Sequence, residues 1–177
     1  VAHVQDICRL VDGVPLAIEL AAAWLKALPC EQVTQELARS IDILASSMQN
    51  MPARHRSMRA VLQQSWQYLT EEEQQIFRRL SVFLGGFRAD AAQAVASTPI
   101  WTLAAFVEKS VLQLMHDGRY RIHTLLRQFG AEKLSEHSDE LDRVRSHHSE
   151  FYLAFLAKRK QSVAGENQTL VLAEIQD

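Results

Sequence analysis

Leu112-Gln113-Leu114-Met115-His116-Asp117-Gly118-Arg119-Tyr120-Arg121-Ile122-His123-Thr124-Leu125-Leu126-Arg127-Gln128-Phe129 is the stretch whose reading decides the fold. Its first half alternates. Gln113 separates Leu112 from Leu114, and Arg121 separates Tyr120 from Ile122, which is the period of strands with one face inward. Between the two runs lies Asp117-Gly118, a dipeptide favoured in two-residue type I′ turns, so the pair predicts a β-hairpin. From Leu125 the period lengthens, and Leu125, Leu126, Phe129 and Leu134 form the inner stripe of a helix. His123 stands at the junction of strand and helix. Helix starts gather backbone N–H groups that have no intrahelical acceptor, and they suit anions. A histidine there can add a hydrogen bond or a charge to a phosphate. The residues alone leave a second reading open, in which His123 is an ordinary polar side chain at the junction.

Upstream, the periods are helical. Val4, Ile7, Cys8 and Val11 recur at helical spacing, and Asp12-Gly13 stops that helix with Gly13 as its left-handed cap. Pro15 suits the first turn of the next helix, which carries Leu16, Leu20, Trp24 and Leu28 on one face and ends at Pro29. A weaker helix carries Val33, Leu37 and Ile41. Residues 46–56 lack an apolar period and contain Pro52, so they read as a linker. The basic residues Arg54, His55, Arg56 and Arg59 are either a solvated connector or an arm facing a neighbouring domain. Met58, Val61, Leu62, Trp66 and Leu69 make a clear stripe, and Thr70-Glu71-Glu72-Glu73 is a capping box. The helix it opens carries Ile76, Phe77, Leu80 and Phe83 inward as far as Gly85-Gly86.

A short alanine-rich helix follows at 90–96, and Pro99 opens another with Leu103, Phe106 and Val107 inward. Beyond the hairpin and its helix, a long helix begins after His137-Ser138, with Asp139 and Glu140 at its positive end. Leu141, Val144, His148, Phe151, Tyr152, Phe155 and Leu156 mark one face of it. Gly165 breaks it, and Leu170, Val171 and Ile175 begin a further helix. The expected fold class is mainly α. A helical bundle spans 1–50, a winged-helix unit with a small β-hairpin spans 51–137, and a helical, TPR-like array begins over 138–177.

Composition narrows the function classes. The chain has 177 residues, is 47% apolar and carries a net charge of −2, which supports a packed core and lacks the basic footprint of a dedicated nucleic-acid binder. Two cysteines without a CxxC spacing argue against a zinc site or disulfide framework and fit a reducing, cytoplasmic compartment. The longest apolar stretch, 16–28, is interrupted by Glu19 and Lys26 and is too short to span a bilayer. His147 and His148 point about 100° apart on a helix, so they do not share a metal. Glu71, Glu72 and Glu73 are explained by a helix start, and Trp24 and Trp66 by core packing. No nucleophile–base pair is present, so no catalytic residue and no metal ligand is assigned. There is no GxxxxGK[ST] motif, so these residues are not expected to hydrolyse ATP or hold it tightly alone. The chain opens on Val1 and closes in helical periodicity, which reads as a piece of a longer protein.

Several segments in order resemble the signal-transduction ATPases with numerous domains, the STAND class, and most of all bacterial regulators with an NB-ARC-type core. Gly13-Val14-Pro15-Leu16-Ala17 is similar to the GLPLA motif, with Val14 in place of Leu. The run 54–59 followed by Trp66 and Leu69 resembles the start of the family's winged helix, and Arg78-Arg79-Leu80-Ser81-Val82-Phe83-Leu84-Gly85-Gly86-Phe87 resembles its RRL-VF-GGF segment. Ile122-His123-Thr124 stands where the family carries Met-His-Asp, with Thr124 replacing the Asp. The resemblance implies that Pro15 packs near the adenine of a bound nucleotide and that His123 touches the ADP β-phosphate in a closed, inactive state. It implies ADP or ATP (with Mg²⁺) as cofactor of the full-length protein, and an upstream NTPase domain of the same chain as partner. Self-oligomerisation on activation is a further implied partnership, and DNA would be met through another domain. Two other function classes stand beside this switch. One is a DNA-reading winged helix, whose wing tip offers Arg119 and Arg121 to phosphates, but its candidate recognition helix, 99–109, is mostly apolar with one Lys and one Glu. The other is a protein-interaction module built on 139–177.

Overall fold

A computed structural model describes residues 2–45 and 57–163. Among these it contains the helices α1 (Ala2–Leu10), α2 (Pro15–Trp24), α3 (Cys30–Arg39), α4 (Met58–Gln67), α5 (Glu71–Leu80), α6 (Ala89–Ala96) and α7 (Ile100–Glu108). A two-stranded antiparallel hairpin, β1 (Leu112–Leu114) and β2 (Tyr120–Ile122), leads into α8 (Thr124–Ser135) and α9 (Ser138–Val163). The fold is thus mainly helical with one small hairpin. The linker expected at 46–56 and the helix expected around Leu170 lie outside the described residues.

The chain divides into two compact units. One comprises Val1–Gln75 and His123–Glu132, and the other Ile76–Ile122 and Lys133–Asp177. The division passes through α5 and α8.

In the first unit the stripes read from the sequence face one core. Ile7 from α1, Val11 just after it, Leu20 from α2, Val33 and Leu37 from α3, and Leu62 from α4 are buried together with Leu125 and Phe129 of α8. Ile41 and Leu44 extend α3 inward through a 3₁₀ turn at Ile41–Ile43. Trp66 meets Phe129 edge-on, with centroids 5.8 Å apart, so it is a packing residue. Ala17 and Ala21 are fully buried on α2, where a larger side chain would hold the neighbouring helices apart. α2 stops at Trp24, four residues before Leu28. Leu25 and Ala27 continue in tighter turns, Leu28 N returns to the Trp24 carbonyl oxygen at the four-residue spacing of an α-helix, and the Trp24 indole N–H donates to the Ile43 carbonyl oxygen. Leu28 still packs against the core, because its four-residue hydrogen bond to Trp24 keeps helical spacing.

Arg59 was counted with the basic run of the linker. In the fold it lies on α4 and pairs with Asp42 and, at 2.8 Å, with Glu132. Its hydrogen bond to Asp42 raises the Arg59 pKa, against the opposing effect of burial, and Glu132 adds to the rise. It therefore ties the 3₁₀ turn, α4 and α8 together inside the unit.

In the second unit, Phe77, Leu80, Phe87, Phe106, Leu112 and Leu134 are buried. Phe77 and Phe106 meet edge-on at 6.3 Å. α5 ends at Leu80, short of the glycines, and the Ser81 hydroxyl donates to the Arg78 carbonyl oxygen at 2.6 Å. Phe83 stays buried through the turn that follows. The hairpin pairs Leu112 with Ile122, both buried, and Leu114 with Tyr120. Phe87 forms a further antiparallel bridge to Tyr120 on the other edge of β2. The turn differs from the expected type I′ form, which needs positive φ at both central residues. Only Gly118 has it, at φ +79. Gly118 N donates to the Met115 carbonyl oxygen at 3.0 Å, and Met115 N to that of Arg119 at 2.8 Å, the pattern of a type I turn closed by a glycine bulge.

Candidate functional site

α1 ends in two successive left-handed residues, Asp12 at φ +49 and Gly13 at φ +72. Gly13 N donates to the Cys8 carbonyl oxygen and Val14 N to that of Val11, each at 3.0 Å, which closes the helix end. Space does not demand glycine at position 13, since an added Cβ would meet nothing within 4 Å. The requirement is the positive φ. Asp12 adopts the same region at a cost of roughly 1 kcal/mol, which aspartate tolerates better than most residues. Val14 is extended and Pro15 takes the first helical position of α2, so the helix-starting role read for Pro15 holds.

This double turn aims the Asp12 carboxylate at the start of α8. Thr124 N donates to Asp12 Oδ2 at 2.7 Å, across 112 residues of sequence. Leu125 N donates to His123 Nδ1 at 3.3 Å, and Arg127 N to the His123 carbonyl oxygen at 2.9 Å. His123 is therefore the N-cap of α8, and acceptance at Nδ1 puts the proton of the neutral ring on Nε2. Nδ1 also lies 3.7 Å from Asp12 Oδ2. Both side chains are largely covered, with 20% of His123 and 15% of Asp12 exposed. A carboxylate at a helix N-terminus is favoured by the helix dipole and by the orphan amides it satisfies.

The two site residues read from the sequence thus come to one place in part. His123 meets the turn that leads into Pro15, through Asp12 rather than through Pro15 itself. Asp12 was missed as a site residue. Its signal was present, an acid beside the glycine of a helix stop, but it was read only as a stop. The resembling family carries an acid where Thr124 stands. In this chain the acid bonded to that helix start is Asp12, supplied by the α1–α2 turn.

The second unit holds an apolar cleft of about 400 Å³ between α9 and the segment from Val82 to Ala91. His148 packs in it against Phe83 and Tyr152, with centroids 5.3 Å and 4.8 Å away. Burial lowers the His148 pKa below the ordinary histidine value. It raises that of Tyr152, where the Arg119 charge opposes and the Asp90 charge adds to the rise. Among the described residues no group of three or more His, Cys, Asp or Glu is placed to hold a metal ion. None of the described helices is long and apolar enough to cross a membrane.

The chain is similar to segments of longer proteins. No family model matches it. In particular, it is 34% identical over 180 residues to a Mycobacterium tuberculosis protein provisionally named an HTH-type transcriptional regulator, covering 96% of this chain and 20% of that one. It is 36% identical over 152 residues to an uncharacterized protein of the same organism, covering 80% of this chain and 38% of that one. Among solved structures it overlays a STAND protein with a tetratricopeptide repeat sensor from Pyrococcus horikoshii, at a TM-score of 0.48 and 19% identity, over 90% of this chain and 26% of that one. The chain therefore spans about a fifth of the first of these relatives.

Proposed function

We propose that these residues are the nucleotide-state-dependent switch segment of a STAND, NB-ARC-like ATPase that acts in transcription control. Support comes above all from one observation. Asp12, which precedes the Gly13-Val14-Pro15 segment, bonds Thr124 and lies beside His123, so the two segments that the sequence resemblance assigns to a single nucleotide are joined through a neighbouring residue although they lie more than 100 residues apart. The 34% identity to a protein provisionally named a transcriptional regulator points the same way.

In this reading ADP lies between an NTPase domain elsewhere in the full-length chain and this site. Pro15 packs against the adenine, and His123 reaches the β-phosphate. ADP holds the closed state, and its exchange for ATP with Mg²⁺ frees the helices to move, a two-state element biased by its ligand. The segment itself catalyses nothing. The hairpin and the helices around it act as a winged helix, α9 begins a TPR-like sensor, and DNA is met by another part of the protein. The exposed side of α7 favours that assignment, because Ile100 and Trp101 dominate it and its one charged side chain, Glu108, is acidic. Replacing His123 by Ala in the full-length protein should speed ADP dissociation and raise basal transcriptional output. An unchanged ADP off-rate together with unchanged output would reject the role.

A further inference from the structure

We infer that the cleft of the second unit, between α9 and the segment from Val82 to Ala91, binds a small aromatic molecule that carries one anionic group. This site is independent of the nucleotide reading above. The cleft encloses about 400 Å³, within the range of about 300–1,000 Å³ in which small-molecule sites fall. Its wall is a file of rings. The buried Phe83 contacts Tyr152 at 6.5 Å and His148 at 5.3 Å between centroids. Tyr152 in turn meets Phe151 edge-on at 5.2 Å and Phe155 at 6.2 Å. Phe151, Tyr152 and Phe155 are only half-buried, so part of each ring is left for a further partner. Rings pack best on other rings, offset or edge to face, which favours a flat aromatic occupant over an aliphatic chain. Leu84 and Leu156 also line the cleft and are 83% and 45% exposed, apolar surface that such an occupant would cover.

The charges around the cleft choose the sign of the polar group. Arg88 and Arg119 line it, against the single acid Asp90. Arg119 is held against the cleft wall, because its Nη2 donates to the Gly86 carbonyl oxygen at 2.9 Å. Asp90 Oδ1 takes the Ala91 amide at 2.9 Å, inside its own helix start. Arg88 is exposed and, among the described residues, is joined to no acid. The Arg119 and Asp90 charges are both felt at Tyr152, which places the tyrosine hydroxyl at the polar end of the cleft. Burial lowers the His148 pKa, so near neutral pH that ring brings no charge. Two cations against one acid leave an excess of positive charge beside an aromatic surface, the complement of a carboxylate or sulfonate on a ring.

The test is a fluorescence titration of the full-length protein with two dyes that share their rings. One is 1-anilinonaphthalene-8-sulfonate, which is anionic, and the other is N-phenyl-1-naphthylamine, which is uncharged. The parent should bind the sulfonate saturably and more tightly than the uncharged dye. Arg88→Glu should weaken the sulfonate about tenfold, since it removes one exposed attraction and adds a repulsion of like size, and should leave the uncharged dye unchanged. Leu156→Asp, which puts a charge on the apolar lining, should weaken both dyes. Equal weakening of the two dyes by Arg88→Glu overturns the anionic group. Saturable binding that neither variant alters lies elsewhere and overturns the site. Absence of saturable binding means that another part of the protein fills the cleft, and it overturns the site as well. The Arg88 side chain makes no cap bond to α6, so its replacement should leave the fold intact, which far-UV circular dichroism checks. If Arg88→Glu misfolds, Arg88→Gln is read in its place, with about threefold weakening of the sulfonate alone expected and no weakening counting against the anionic group.

Discussion

Glu140 offers the sharpest test of how the second unit is held. It lies in the first turn of α9 and is buried, at 7% exposed. Its two carboxylate oxygens take separate hydrogen bonds, from Arg78 Nε at 2.7 Å and from Arg79 Nε at 2.6 Å. One carboxylate therefore ties the C-terminal end of α5 to the start of α9. Replacing Glu140 by Gln keeps the shape and one acceptor, but it removes the charge and turns an amide N–H₂ toward a guanidinium. A charge-assisted bond is worth roughly 1.5–3 kcal/mol. Breaking a fully buried pair costs about 3–5 kcal/mol, but here Arg78 and Arg79 keep 16% and 24% of their side chains exposed and can regain water. The expected loss is therefore about 2–3 kcal/mol, read as a lower urea midpoint by far-UV circular dichroism.

The same bond predicts a pH dependence. Burial alone pushes the Glu140 carboxyl up, but the hydrogen bonds from Arg78 and Arg79, with their charges, outweigh it and leave its pKa below the ordinary value. A carboxyl lowered in the folded state stabilises fully above its unfolded pKa, about 4.3 for glutamate, and that stability is lost as pH falls through the folded value. The Gln variant should accordingly lose less stability than the parent between neutral pH and about pH 3. A loss under about 0.5 kcal/mol at neutral pH, with an unchanged acid profile, would refute the assignment of Glu140 as the tie between α5 and α9.

Two further substitutions test the second unit by gains rather than losses. The Thr98 hydroxyl is buried without a hydrogen-bond partner, so Thr98→Val should raise stability by about 1 kcal/mol, and a loss of that size would mean that the hydroxyl is satisfied in solution. Ser97 closes α6 in the left-handed region at φ +54, so Ser97→Gly should raise the thermal midpoint, by about 0.5–1 kcal/mol in stability.

What the sequence discloses depends on how far the cause of each feature reaches. The capping box was legible because both partners lie within four residues. Glu73 N donates to Thr70 Oγ1 at 3.2 Å, and Thr70 N to Glu73 Oε2 at 2.8 Å. The stripes of α1, α3, α4 and α8 were legible because a helix repeats its inward face. Helix ends were less so. Leu28 and Phe83 continue their stripes beyond α2 and α5, because a single turn, of four-residue spacing at Leu28 and three-residue spacing at Phe83, keeps a side chain inward as a helix does. Asp117-Gly118 marked the hairpin but not its turn, since the same dipeptide serves a type I′ turn and a glycine bulge.

Charges were the least legible, because their partners are remote. Arg59 looked like a member of a basic arm, but it faces Asp42 and Glu132, one before it and one far after it. Asp12 looked like punctuation, but it reaches Thr124. A composition or a period cannot announce such pairs, since neither end is unusual alone. What does mark Asp12 is conformational: a non-glycine residue beside a glycine, both left-handed, where one would have sufficed to end the helix. Backbone that departs from its cheapest course needs a compensating contact, and here that contact is the α8 start beside His123. The residue that the local pattern treats as the end of one helix is thus the residue that bonds the beginning of another. Two segments distant in sequence are joined through it.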